Sequence, residues 1–167
     1  VFASPVGKNH FVGGINVKGT TAVMKKRANG VPMQYKVKAF RIADGPDNFF
    51  GESEIVIACP LETPRRLTAI VGSDGICTLS WRYNSQCDGF KIYADSNESG
   101  KYSFVCYSGK NSCRLDSFTK SGKVSFVVRS FIMTGHMEKL GVSSAPAEAV
   151  LPKSKGTKAV QLSLIHI

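Results

Sequence analysis

Apolar and polar residues alternate along short runs of this chain, and turn residues separate the runs. The clearest run spans residues 76–81, where Cys77, Leu79 and Trp81 share one face and the residues between them lie on the other. Alternation with a period of two predicts a strand that buries one face. No stretch of useful length shows the 3.6-residue period of an amphipathic helix, so the pattern predicts an all-β protein.

Between residues 61 and 152 the pattern predicts seven short strands, bounded by turn residues such as Asp74-Gly75 and Asp88-Gly89. Strands of this length and spacing are typical of an antiparallel two-sheet β-sandwich of seven strands. The predicted strands span residues 67–71, 76–81, 90–93, 102–107, 112–115, 124–131 and 147–151.

Three motifs of the chain occur twice. Residues 7–12 recur at 100–105, residues 35–40 at 126–131 and residues 51–53 at 141–143. The offsets are 93, 91 and 90 residues (100 − 7, 126 − 35 and 141 − 51). A near-constant period of that length indicates one small domain in tandem, because solenoid repeats span roughly 20–50 residues.

The repeat divides the chain into three parts. We expect residues 1–60 to be the C-terminal part of a truncated domain, because they contain only the later motifs, and residues 61–152 to be a complete copy. The expected junction spans residues 58–64, which its prolines stiffen. Residues 153–167 begin with a polar, lysine-rich stretch that predicts a disordered tail. We interpret the last six residues as a read-through artefact of sequencing.

Alternation also predicts which side chains form the cores. In the first copy Tyr35 and Val37 are expected to face inward, with Lys36 and Lys38 facing water. Trp81 is expected at the centre of the complete copy, between its two sheets. The predicted core residues of that copy are Leu79, Trp81, Phe90, Ile92, Leu115, Phe126 and Val128.

Basic residues outnumber acidic ones, with 22 Lys and Arg against 12 Asp and Glu and a net charge of +10. They are scattered along the chain and do not form a dense stripe interleaved with stacking aromatic residues, which argues against a nucleic-acid partner. The charge is compatible with an ordinary solvated surface or with a module that lies against an anionic cell wall. The sequence has no apolar run long enough to span a membrane.

The chain has five cysteines and no C-x-x-C motif, so neither a zinc ribbon nor a thioredoxin-type site is indicated. Cys77 has the strand parity of a small core residue. Cys106 and Cys113 flank a turn at residues 108–110 and are compatible with a disulfide or with two free thiols, because the sequence does not show their separation.

The residues that carry most enzyme chemistry do not cluster in this sequence. His10 and His136 lie in different copies, and no G-x-S-x-G motif accompanies either. Asp44, Asp74 and Asp88 each precede a glycine, which assigns them to turns. Neither a calcium-loop pattern nor a phosphate-binding glycine motif occurs. We therefore expect no catalytic, metal-binding or cofactor-binding residues.

Aromatic residues at outward positions are the candidates for an interaction surface. Phe40 and Phe131 have outward strand parity, and Phe49 and Phe50 lie in a predicted hairpin loop. They are compatible with contact to a neighbouring module or a partner, and isolated exposed aromatic residues are also ordinary on protein surfaces. The predicted interaction surface is Phe40, Phe49 and Phe50.

The order of these motifs resembles a fibronectin type III domain. Residues 79–81 ahead of residues 89–93 resemble its second and third strands, and residues 100–102 are similar to the Gly-Lys-Tyr that opens the next strand in many bacterial members. Residues 35–40 followed by residues 51–53 resemble its last two strands. The resemblance extends over nearly all of the chain up to about residue 152.

This sequence departs from the family at two positions. Phe126 stands where tyrosine is usual, and Phe118 stands where leucine is usual. Both changes keep the position apolar, so they affect local packing and leave the expected fold unchanged.

The resemblance implies a non-catalytic spacer or interaction module in a multidomain bacterial protein that is secreted or attached to the cell surface. The alternative is an accessory module of an extracellular enzyme, such as a glycoside hydrolase or a peptidase. The expected location is extracellular or at the cell surface. The expected partners are neighbouring domains of the same chain and a cell-wall polymer or glycan.

Overall fold

The computed structural model describes residues 1–41 and 49–153, and the secondary structure within them is β-strand and turn without a helix. The predicted hairpin at residues 44–45 and the predicted tail from residue 154 onward, including its last six residues, lie outside the described residues. The strands before residue 60 are short: β1 Phe2–Pro5, β2 Met33–Lys36, β3 Lys38–Phe40, β4 Phe49–Glu52 and β5 Val56–Ala58.

The strands after residue 60 form two sheets, and most of them are longer than those before it. They are β6 Arg65–Val71, β7 Cys77–Arg82, β8 Gly89–Asp95, β9 Ser103–Ser108, β10 Ser112–Arg114, β11 Gly122–Thr134, β12 Met137–Leu140 and β13 Ala147–Leu151. One sheet has the order β10-β7-β6, and the other has the order β12-β11-β8-β9, with β13 also paired to β11. Every pairing is antiparallel. The predicted antiparallel two-sheet sandwich is therefore confirmed.

The last predicted strand, 147–151, is found as β13, but the structure has an additional strand, β12, which also pairs with β11. β12 pairs with Phe131–Thr134 and β13 pairs with Gly122–Phe126. The tight turn before β12 uses Gly135, whose φ of +63° favours glycine. The short run 137–140 between this turn and Gly141 does not show a clear period-two pattern, so sequence reading missed it.

We call the strands after residue 60 the larger unit, and its core lies between its two sheets. Trp81 and Tyr83 each pack edge-on against the ring of Phe90, with centroid distances of 5.1 Å. Aromatic pairs favour this arrangement because the positive ring edge meets the negative ring face. All seven core residues predicted for this copy are buried within the same cluster: Leu79, Trp81, Phe90, Ile92, Leu115, Phe126 and Val128.

The core prediction for the first 60 residues requires correction. Val37 is 50% exposed and interrupts the predicted strand between β2 and β3, and Tyr35 is only partly buried. Lys36 and Lys38, expected to face water, are largely covered, with side-chain exposures of 17% and 26%. Burial fails at Val37 because its face of the sheet borders a groove lined by residues of segment 17–24 and not a second packed sheet.

In both halves of the chain, a valine and a serine from neighbouring segments make the same pair of hydrogen bonds. The Val128 amide donates to the Ser144 hydroxyl (3.0 Å), and the Ser144 amide donates to the Val128 carbonyl (2.9 Å). Val37 and Ser53 make the same two bonds at 2.9 and 2.8 Å. Both residues of the pair are shifted by 91 positions (128 − 37 and 144 − 53).

The junction residues are hydrogen-bonded on both sides. The Gly30 amide donates to the Pro60 carbonyl at 2.8 Å. The Ser130 hydroxyl donates to the Glu62 carbonyl at 3.0 Å, and the Glu62 carboxylate accepts from the Ser85 hydroxyl at 2.7 Å. These bonds lower the freedom of the connector because they fix it at its carbonyls and at one side chain. The described residues contain no apolar helix of the length that a membrane span needs.

Candidate functional site

The structure brings two of the three predicted surface aromatic residues together. Phe49 on β4 contacts Phe40 on β3 with a centroid distance of 6.4 Å, and its ring also packs edge-on against Phe2 at 5.6 Å. Phe50 points away from this group, is 60% exposed and lies 5.1 Å from the guanidinium carbon of Arg41. We call Phe2, Phe40 and Phe49, with Lys38, the first aromatic cluster.

Lys38 supplies the positive charge of the first aromatic cluster. Its ammonium lies 4.8 Å from the ring centre of Phe49 and 5.6 Å from that of Phe2, within the range of cation–π attraction. The carboxylate of Glu52 pairs with Lys36 at 3.0 Å and with Lys38 at 3.5 Å. Its hydrogen bond and ionic attraction to Lys36, supported by Lys38, lower the pKa of Glu52.

A larger group of aromatic side chains lies on the outer face of the sheet that contains β8, β9 and β11. Phe90 and Ile92 point into the core, so Lys91 and Tyr93, which alternate with them along β8, point outward. The outward rings form a continuous series, with centroid distances of 5.9, 4.8 and 5.9 Å between successive members. We call this series the aromatic row, and its members are Tyr93, Phe104, Tyr107 and Phe131.

Lys91 lies at the middle of the aromatic row. Its ammonium is 5.2 Å from the ring centre of Tyr107 and 5.8 Å from that of Phe104. The same ammonium is 2.6 Å from a carboxylate oxygen of Glu138 on β12. The hydrogen bond to Glu138 raises the pKa of Lys91, so the side chain stays charged at neutral pH.

Two rings of the aromatic row are open to solvent, since Phe104 is 48% and Tyr107 is 59% exposed. Sequence reading missed both residues because they are three positions apart, and regular alternation places such residues on opposite faces. A bulge in β9 removes the conflict: Ile92 pairs with Cys106 and Tyr93 pairs with Phe104, which leaves Val105 as an extra residue. The sequence feature that could have located Phe104 and Tyr107 is the high proportion of aromatic residues in segment 102–107.

One phenylalanine of the first aromatic cluster and one of the aromatic row occupy matching places in the two halves of the chain. Phe40 and Phe131 are 91 positions apart (131 − 40), as are Lys38 and Arg129 (129 − 38). Both phenylalanines are half-buried and in contact with more exposed rings, Phe40 with Phe49 and Phe131 with Tyr107. In each half, the outward phenylalanine therefore precedes the serine that bonds to the valine by the same number of residues.

The two histidines considered from the sequence lie far apart in the chain, and both are exposed: His10 in the first segment and His136 in the turn before β12. Within residues 1–41 and 49–153 no group of three or more His, Cys, Asp or Glu side chains lies close enough to hold a metal ion. Exposed aromatic rings lie beside basic side chains at two places on the described surface, the first aromatic cluster and the aromatic row.

Comparison with solved structures finds fibronectin type III domains. The Fn3-like protein from Clostridium thermocellum is 20% identical and covers 54% of this chain and 92% of that chain, with a TM-score of 0.44. The chicken CNTN1 FN1-FN3 domains are 18% identical over 91% of this chain and 55% of that chain, with a TM-score of 0.46. A set of titin domains is 13% identical over 90% of this chain and 53% of that chain, with a TM-score of 0.47.

No protein-family model matches the sequence, and no curated protein matches it. The strands after residue 60, in sheets of three and five strands, have the fibronectin type III fold that the sequence resemblance predicts. The fold leaves the binding activity to be argued from the surface residues.

Proposed function

We propose that this chain is a non-catalytic spacer and interaction module of a multidomain bacterial protein, secreted or attached to the cell surface. We further propose that the aromatic row is its binding surface and that the partner is an anionic cell-wall polysaccharide. The observation that carries the proposal is the continuous outward row of four rings with a lysine at its centre.

The tandem organisation supports the spacer role. The Val–Ser bridge and the outward phenylalanine both recur at an offset of 91 residues, which is what two copies of one module would produce. The bonds of Glu62 to Ser85 and Ser130 hold the connector against the second copy. A connector fixed in this way moves little relative to the strands that follow it, and a spacer requires such stiffness.

The composition of the row favours a carbohydrate partner. Sugar rings present flat apolar faces beside polar hydroxyls, and exposed aromatic rings offer apolar contact without closing into a cavity. Lys91, at the middle of the row, and its partner Glu138 add a hydrogen-bond donor and an acceptor to the same surface. The net charge of +10 favours a polymer that carries negative charge over a neutral one.

The test is retention of the purified full chain on insoluble bacterial cell wall. We expect the double variant Phe104→Ala with Tyr107→Ala to bind at least about tenfold more weakly, because central aromatic contacts often carry over 1 kcal/mol each. The control is Phe50→Ala, which removes an equally exposed ring outside the row and should bind as the parent does. Circular dichroism should show that both variants remain folded, since the deleted rings are about half exposed.

Two results would contradict the proposal. Equal binding by the parent and the double variant would remove the aromatic row as the site, and binding unchanged by high salt would remove the anionic partner, because salt screens exposed charges. Reproducible hydrolysis of a polysaccharide or peptide that is abolished by His136→Ala would overturn the non-catalytic assignment.

A further inference from the structure

Two cysteines lie at the same side of the sandwich, one on the edge strand of each sheet. Cys106 is on β9, the last strand of the larger sheet, and Cys113 is on β10, the last strand of the smaller sheet. Their sulfur atoms are 3.3 Å apart, and both are free thiols in the structure. Both side chains pack against the hydrophobic core from that edge.

Hydrogen bonds of the Ser108 side chain stabilise the turn between these cysteines. The Ser108 hydroxyl lies 2.7 Å from the Ser112 carbonyl oxygen and accepts a bond from the Lys110 amide at 3.1 Å. This side chain therefore fixes the ends of β9 and β10 relative to each other. The sulfur atoms meet as a consequence of the turn geometry.

The turn is also tied to the neighbouring strand β7. The Trp81 amide donates to the Asn111 carbonyl at 3.0 Å, and the Asn111 side-chain amide donates to the Tyr83 carbonyl at 3.2 Å. These bonds keep β10 at the edge of the smaller sheet. Little motion is then needed to bring the sulfurs from 3.3 Å to the bonded distance of about 2.05 Å.

We propose that Cys106 and Cys113 form a disulfide that covalently joins the edges of the two sheets when the protein meets a low-molecular-weight disulfide such as oxidised glutathione. The proposal stands independently of the polysaccharide-binding proposal, because it uses different residues. An oxidising compartment outside the cytosol is where such a bond persists.

The reaction proceeds by two thiol–disulfide exchanges. The Cys113 thiolate attacks one sulfur of glutathione disulfide, forms a mixed disulfide and releases one glutathione thiolate, with the Cys113 proton passing to water. The Cys106 sulfur then attacks the Cys113 sulfur and releases the second glutathione, which takes the Cys106 proton. Two protein thiols are oxidised, and one glutathione disulfide is reduced to two glutathione molecules.

The surroundings of Cys106 slow its ionisation. Burial, with a further contribution from the neighbouring Cys113 thiol, raises the pKa of Cys106 to about 12. Because the thiolate is the attacking species, we expect the bond to form faster as the pH of the incubation is raised.

Peptide mapping of the full chain tests the bond directly. The reduced protein is treated with oxidised glutathione, its remaining thiols are blocked with N-ethylmaleimide, and it is digested with trypsin without reductant. Cleavage after Lys101, Lys110 and Arg114 places Cys106 in peptide 102–110 and Cys113 in peptide 111–114. We expect these two peptides to be joined, with the loss of two hydrogen atoms. Their recovery as separate blocked peptides would overturn the proposal.

Variants identify the partners and the effect of the bond. Cys87→Ser should keep the linked peptides, and Cys113→Ser should lose them. A link from Cys113 to the buried Cys77 would also overturn the assignment. The Tm of the oxidised parent should exceed that of the reduced parent by about 5 °C or more, because the bond restricts the unfolded chain. Cys113→Ser should show no such difference, and an unchanged Tm in the parent would contradict the joining of the sheets.

Discussion

Trp81 is the residue whose removal should damage the larger unit most. It is 5% exposed and packs against Phe90 at the centre of the core. Trp81→Ala should lower the free energy of unfolding by about 3–5 kcal/mol, because it removes buried apolar surface and leaves a cavity. Urea denaturation followed by far-ultraviolet circular dichroism measures the change.

The matched control for this prediction is Trp81→Phe. Among the described residues, the indole nitrogen of Trp81 is buried without a hydrogen-bond partner. Phenylalanine keeps most of the ring and removes this unpaired donor, so it should cost much less than alanine. Equal losses for the two variants would mean that the ring contributes little through packing.

Asp95 should make stability depend on acid pH. Its buried carboxylate accepts bonds from the amides of Asn97 (3.0 Å) and Gly100 (2.7 Å) and from the Ser99 hydroxyl (3.2 Å). The Asn97 amide, with those of Gly100 and Ser99, lowers the pKa of Asp95 in the folded protein. Its stabilisation is therefore complete above the unfolded-state pKa of about 3.9 and is lost as pH falls through the lower folded-state value.

The variant Asp95→Asn tests this linkage through Tm measured from pH 7 to pH 2. The amide has one oxygen acceptor in place of two, so the variant should melt below the parent at pH 7, and the difference should shrink below about pH 4. Asp116→Asn, which changes an exposed carboxylate paired with Arg114, should have a small effect at pH 7. A difference between Asp95→Asn and the parent that is constant with pH would contradict the linkage.

At the level of elements, the gap between β12 and β13 depends on one serine. Ser144 is buried, and its hydroxyl is the acceptor for the Val128 amide at 3.0 Å. Ser144→Ala should cost about 1–3 kcal/mol, because the buried amide loses its partner. Urea unfolding followed by the fluorescence of Trp81 reports on this unit.

The neighbouring Ser143→Ala is the matched control, because Ser143 is exposed. It should change stability by less than about 0.5 kcal/mol. The comparison also corrects the repeat alignment: the sequence motifs align Ser53 with Ser143, whereas the hydrogen bonds make Ser144 the equivalent of Ser53. Equal costs for the two variants would contradict that equivalence.

The strands that sequence reading located well are those that bury one face regularly. β7 has strictly alternating burial, and its predicted inward residues Leu79 and Trp81 are buried. β9 was located but its faces were not, because the bulge at Val105 changes the alternation within the strand. The aromatic row depends on that bulge, so it was not predictable from period-two reasoning.

At the scale of the whole molecule, equivalent positions in the two halves have different surroundings. Val37 and Val128 occupy the same place in the repeat, yet Val37 is 50% exposed and Val128 is fully buried. Sequence reasoning assigned both to cores because it used the repeat and the alternation, which describe one strand at a time. Burial depends on what packs across the sheet, and the local pattern does not contain that information.

Amide hydrogen exchange should therefore divide the chain into two parts. The hydrophobic core cluster is drawn from residues 77–151, whereas Ala3 is the buried hydrophobic residue described before residue 60. Amides in β7, β8 and β11 open mainly by global unfolding and should exchange roughly a hundredfold or more slowly than those in β1–β5, which local opening exposes. Exchange read by mass spectrometry on the full chain measures the ratio. Comparable protection in both parts would show that the first segment is stabilised by contacts beyond its own small sheets, and the difference in burial at Val37 would then not govern its stability.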